Sequence, residues 1–87
     1  MKINLDYRSK ILETLNAVAD EGGKELTTGF NENTALLESG LDSLDFAIVV
    51  ARLERELGFD PFSQSDQPIY PHTFQDLIDV YTNHQPA

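Results

Sequence analysis

The stretch 43–57, Ser-Leu-Asp-Phe-Ala-Ile-Val-Val-Ala-Arg-Leu-Glu-Arg-Glu-Leu, contains neither glycine nor proline and is bracketed by Asp42 and Gly58. It constrains the fold more than any other segment of the 87 residues. Its apolar residues recur every three or four positions, the period of a helix. Asp42 suits the N-cap and Asp45 the third helical position, which approximates a capping box, and both carboxylates face the positive end of the helix dipole. Gly58 supplies a stop. The pattern predicts a helix over 43–57 with two apolar stripes. Phe46, Val49, Val50, Leu53 and Leu57 form one at core spacing. Leu44, Ala47, Ile48 and Ala51 form a second beside it. A surface helix in a chain this short needs one buried stripe, so the second is either further core or a contact surface.

Two more helices follow from the same period. Ile3, Tyr7, Ile11, Leu15 and Val18, widened by Leu5, Leu12 and Ala19, predict a helix over about 5–20. Asn4 or Asp6 caps it and Gly22-Gly23 ends it. Thr73 and Asp76 form a second capping-box pattern, ahead of an apolar face of Phe74, Leu77, Ile78 and Tyr81. Between these helices, residues 22–42 read as a long connection rich in Gly, Thr and Asn. A loop of that length usually serves function. Leu26, Phe30, Leu36, Leu37 and Leu41 are expected to pin it to the core. Three prolines between Phe59 and Pro71 preclude a long helix there, though a short turn fits 63–67. Residues 83–87 read as a frayed tail. No strand pattern and no internal repeat is present. The expected fold is all-α, a small three- to four-helix bundle with a long loop between helices one and two. It forms a single small domain over 1–87, ordered from about 4 to 82.

Composition removes several classes of function. A chain of this length buries only about 60% of its unfolded surface, which leaves no room for a deep catalytic cleft. There is no cysteine, hence no disulfide and no thiolate metal site. No run of apolar residues is long enough to span a membrane and no signal peptide opens the chain, so a cytoplasmic location is the expectation. Fifteen Asp and Glu against six Lys and Arg give a net charge of −9. That charge argues against nucleic acid and anionic membranes as partners. It reads either as solubility or as steering toward basic partners. His72 and His84, both expected to be exposed, have no partner at catalytic or metal-ligand spacing, and no phosphate loop or nucleophile elbow occurs. No catalytic and no metal-binding residue is assigned, and the chain is not expected to be an enzyme.

Gly40-Leu41-Asp42-Ser43-Leu44 lies where the long loop meets the strongest helix. With Asp42 at the N-cap, Ser43 becomes the first helical residue, and its hydroxyl is not needed for capping. A phosphodiester there would meet unpaired backbone N–H groups at the helix start. The plainer alternative is that Ser43 only helps to cap a helix.

The run Thr34-Ala35-Leu36-Leu37-Glu38-Ser39-Gly40-Leu41-Asp42-Ser43-Leu44 resembles the acyl carrier protein family, including the peptidyl carrier domains of nonribosomal synthesis. The likeness extends over nearly the whole chain. It implies that Ser43, flanked by Asp42 and Leu44, receives 4'-phosphopantetheine from coenzyme A. It implies a phosphopantetheinyl transferase, an acyl- or aminoacyl-loading ligase and downstream acyl-transfer enzymes as partners of a monomeric carrier. It also implies partner recognition by helix two and its flanks, through Glu38, Asp42, Asp45, Glu54, Glu56 and Asp60 and through Ala47, Ile48 and Ala51. Arg52 and Arg55 interrupt the acidic pattern, and Ile48 stands where acyl carriers often have an acid. These departures point away from housekeeping fatty acid synthesis. The run Val50-Ala51-Arg52-Leu53-Glu54-Arg55-Glu56-Leu57-Gly58 is similar to peptidyl carriers, and Met1 close to helix one suggests a stand-alone carrier rather than an excised domain. From a different class, the competitor is a small acidic helical adaptor that binds a basic protein without a prosthetic arm.

Overall fold

A computed structural model describes residues 6–85. Ile3, Asn4 and Leu5, assigned above to helix one and its cap, lie outside the described residues, as do Pro86 and Ala87 of the tail. The first helix, α1 (Tyr7–Glu21), begins at Asp6, whose carboxylate accepts from the Ser9 N–H at 3.1 Å and the Ser9 hydroxyl at 2.7 Å. The helix closes through Gly22 into Gly23, which carries the left-handed φ of 71°. The expected stripe is the buried one: Tyr7, Ile11, Leu15, Val18 and Ala19 all enter the core.

The second helix, α2 (Ser43–Leu57), has the bounds the sequence predicts. Its capping box is complete. The Asp45 N–H donates to Asp42 Oδ1 at 2.9 Å, and the Asp42 N–H donates to Asp45 Oδ2 at 3.0 Å. Val49 and Leu53 are fully buried, while Phe46, Val50 and Leu57 are half-buried. The short helix falls earlier than expected, at α3 (Pro61–Gln64) rather than 63–67. Asp60 decides this. Its carboxylate accepts from the Phe62 N–H at 2.9 Å and the Ser63 hydroxyl at 2.8 Å. Pro61 takes the first helical position, where a missing N–H costs nothing. The last helix, α4 (Phe74–Asn83), starts at Thr73 with the predicted box to Asp76. The frayed-tail expectation fails for 83–85. Asn83 is still helical, a ring nitrogen of His84 lies 2.9 Å from the Val80 carbonyl, and Gln85 Oε1 accepts the Tyr7 hydroxyl at 3.1 Å. That contact with Val80 leaves His84 half-buried, not exposed as expected.

Helix α1 packs against α2 and α4. Tyr7 and Tyr81 meet Phe59 edge-on at 6.2 and 5.8 Å at one end of the core, their own two rings lie tilted at 6.5 Å, and Phe30 meets Phe74 at 5.0 Å. Each such side chain contributes about 1.5–3 kcal/mol on burial, which is how so short a chain holds three helices together. No strand occurs among the described residues, only an isolated bridge between Ala35 and Thr73.

The long connection is tied down along its length. Residues Leu36–Glu38 form a single 3-10 turn. The Leu36 N–H donates to the His72 carbonyl at 2.8 Å, the Phe74 N–H to Thr34 at 3.1 Å, and the Thr27 N–H to Ser39 at 2.8 Å. Leu36 and Leu41 are buried, with Leu26 and Phe30 packed beside them. Leu37 corrects the expectation. It is 79% exposed, because successive residues of a tight turn face different ways and Leu36 has taken the inward position.

Candidate functional site at the head of α2

The loop reaches α2 through Gly40, a position that strongly disfavours any side chain. Its φ is 102°, and a Cβ there would lie 2.5 Å from the Glu25 carbonyl oxygen. Two loop segments, 24–27 and 39–42, are thereby laid against each other under the helix start. Lys24 completes the join. Its ammonium lies 2.6 Å from Asp45 Oδ2 and 3.3 Å from Asp42 Oδ2. The bond to Lys24, together with the Asp42 N–H, holds the Asp45 carboxyl below its usual range. The bond to Asp45 holds the Lys24 ammonium above its own.

Ser43 stands between these two carboxylates in the chain and is exposed. Capping is done by Asp42 and Asp45, so the Ser43 hydroxyl is free of that duty. The amides of Ser43 and Leu44 are the first two of α2 and precede the helical hydrogen-bond ladder. Leu44 is 69% exposed. A groove of about 980 Å³ begins at Ser43. Along one wall run Ala47, Val50, Ala51 and Glu54 of α2. The opposite wall is Leu37 and Glu38 of the 3-10 turn with Ile69–His72. Tyr70, on that wall, is 83% exposed. Nothing in its sequence marks Tyr70 as a rim residue, since its surroundings come from Leu36 and His72 pairing across the chain.

The second stripe of α2 is surface, not core: Leu44, Ala47, Ile48 and Ala51 are all exposed. The acids divide. Glu38, Asp42 and Glu54 are exposed, and among the described residues Glu38 and Glu54 have no ion-pair partner. Asp60 is half-buried, spent on the α3 cap. Glu56 is exposed but pairs with Lys10 of α1 at 2.8 Å. Asp45 contradicts its reading as an exposed recognition acid. The residue is buried, its carboxylate shared between the capping box and Lys24. Arg52, which interrupts the acidic pattern in sequence, is turned toward α1, where it forks onto Glu21 with Nη1 2.8 Å from Oε2. No described helix is long and apolar enough to cross a membrane.

These features define a small helical protein with an exposed serine hydroxyl at the start of its second long helix. Residues 9–63 match the family described as the phosphopantetheine attachment site, and the chain belongs to that family, whose prosthetic group is 4'-phosphopantetheine. The chain is 40% identical over 57 residues to "Non-reducing polyketide synthase VdtA" of Byssochlamys spectabilis, a match that covers 66% of this chain and 2% of that protein. No solved structure matches. The head of α2 fits the group. It offers an exposed hydroxyl clear of the cap, unladdered amides for a phosphodiester and an open groove beside it.

Proposed function

We propose that Ser43 is the attachment residue, and that the chain tethers acyl or aminoacyl intermediates on its arm and presents them to partner enzymes. One observation carries the choice of residue. Four serines lie within the matched residues 9–63. Ser9 donates to Asp6 and Ser63 to Asp60, while Ser39 is buried and donates to the Leu36 carbonyl. Ser43 alone is exposed with a hydroxyl that makes no hydrogen bond among the described residues. When bound, the arm supplies a terminal thiol that takes cargo as a thioester. The sequence holds no cysteine, so this would be the molecule's one thiol. A reducing cytoplasm would keep it available.

The remaining roles belong to this chain's surface, and the reading assigns it no catalysis. Leu44, Ala47, Ile48 and Ala51 offer an apolar contact beside Ser43, edged by Glu38 and Glu54 for basic partners. Such encounters are fast, weak and salt-sensitive. A phosphopantetheinyl transferase, a loading ligase and downstream acyl-transfer enzymes are the partners this reading requires. The name of the related synthase favours an acyl over an aminoacyl cargo.

Incubation with coenzyme A and a broad-specificity transferase, followed by mass spectrometry, tests the proposal. Wild type should gain one phosphopantetheine mass on the peptide containing Ser43, and Ser43→Ala should gain none while it melts as wild type does. A thiol reagent should then label the modified protein once. Modification of the alanine variant would refute the assignment. No gain by wild type would leave the armless adaptor as the better reading.

A further inference from the structure

Lys24 ties the attachment end of the molecule to the far end of α1. Its backbone N–H donates to the Ala19 carbonyl at 2.7 Å, which fixes the residue to the last turn of that helix. Its side chain crosses to the start of α2, where the ammonium meets Asp45 at 2.6 Å and Asp42 at 3.3 Å. Those carboxylates are the two halves of the capping box around Ser43. Asp42 uses Oδ1 for the box and Oδ2 for Lys24, while Asp45 uses Oδ2 for both. Adjacent loop residues are held there without Lys24, by the Thr27–Ser39 hydrogen bond and by the close approach of Gly40 to Glu25. The lysine is therefore not needed merely to keep the loop in place.

Attachment of the arm brings a negatively charged phosphoryl group to a helix end that already bears two carboxylates. Among the described residues, Lys24 is the only cation paired with either of them. Arg8, Lys10 and Arg52 are committed elsewhere, to Glu32, Glu56 and Glu21. We propose that Lys24 is a positioning residue for phosphopantetheinylation. Its ammonium keeps the Asp42 and Asp45 carboxylates turned away from the Ser43 hydroxyl and offsets their charge as the phosphoryl group arrives. In that transfer Ser43 Oγ forms a bond to the pantetheine-side phosphorus of the coenzyme A pyrophosphate. The bond from that phosphorus to the bridging oxygen breaks, adenosine 3',5'-bisphosphate leaves, and the hydroxyl proton passes to the transferase or to solvent. The inference rests on Ser43 being the attachment residue.

Steering and positioning make opposite predictions here. Removal of a cation makes the carrier more acidic, so steering alone would speed capture by a basic transferase and lower KM at low salt. Loss of positioning would lower kcat, since misplacement of a reacting atom by about 1 Å can cost up to about a hundredfold. Steady-state modification of wild type, Lys24→Met and Lys24→Arg with one transferase and coenzyme A separates them, with melting temperatures taken in parallel. Lys24→Met should lose about fivefold in kcat without a rise in KM for the carrier, and Lys24→Arg should restore most of the loss. An unchanged or higher kcat in Lys24→Met, or a loss that arginine does not restore in a variant with the wild-type melting temperature, overturns the role of Lys24. Neither result touches the assignment of Ser43, which fails if wild type is not modified there or if Ser43→Ala still is.

Discussion

Substitution of alanine for Gly40 tests whether the loop beneath the head of α2 is as closely fitted as the structure shows. Two costs fall on this residue. A φ of 102° is left-handed backbone, which costs an L-residue about 1–2 kcal/mol. The new Cβ would also lie 2.5 Å from the Glu25 carbonyl oxygen, a backbone atom that cannot swing aside. Relief requires segment 24–27 to move away from 39–42. That strains packing by about 1–3 kcal/mol and weakens the 2.8 Å Thr27–Ser39 hydrogen bond, worth about 0.5–1.5 kcal/mol net. The expected loss is about 2.5–6.5 kcal/mol, a large share of the total stability of about 4–13 kcal/mol for a chain of this length. Gly29 provides the control. Its φ is 77°, but nothing among the described residues lies within 4 Å of a Cβ there, so Gly29→Ala should lose only the conformational part, about 1–2 kcal/mol. Urea unfolding followed by circular dichroism measures both. If the two variants lie within about 1 kcal/mol of each other, a difference the clash should exceed, the close approach of the two segments is refuted.

Ile48→Glu should fold with a loss of no more than about 1 kcal/mol, because the side chain is 39% exposed on the outer stripe of α2. Its loading by partner enzymes should fall, and a large drop in melting temperature would return Ile48 to the core. The Tyr81 hydroxyl is buried without a hydrogen-bond partner among the described residues. Tyr81→Phe should therefore leave stability unchanged or raise it by up to about 1 kcal/mol, and a loss greater than that would reveal a hidden partner. Burial, with Asp60 and Glu54 nearby, also pushes the Tyr81 phenol up. Above about pH 10 the unfolded chain gives up that proton first, so stability should fall as pH rises, and the slope should flatten in Tyr81→Phe. At the acid end, Asp45 is held low by Lys24 and Asp76 by the Thr73 and His72 amides. Their stabilisation is present above the unfolded value near pH 3.9 and lost as pH falls through the lower folded values. Urea midpoints that stay level from pH 5 to pH 2 would contradict both assignments.

Local chemistry was legible in the sequence because it acts over three or four residues. Asp42 with Asp45, and Thr73 with Asp76, set their helix starts through bonds to amides one turn away. The apolar period marked the buried faces of α1 and α4 without error at Tyr7, Ile11, Leu15, Leu77 and Tyr81. The motif at Ser43 could be found for the same reason, since cap, serine and glycine are neighbours in the chain. Tertiary structure decided whatever depends on partners far along it. Asp45 reads as an exposed acid until Lys24, twenty-one residues earlier, is folded against it. Arg52 reads as a break in an acidic face until Glu21 turns it toward α1. Period alone could not say whether Ile48 meets solvent or core, because the answer depends on which side of α2 is turned toward α1. Leu37 and Tyr70 became rims of one groove only when the 3-10 turn was hydrogen-bonded to His72. Hydrogen bonds and ion pairs between distant residues leave no periodic trace in a sequence, and in this chain they set the charge and shape around Ser43.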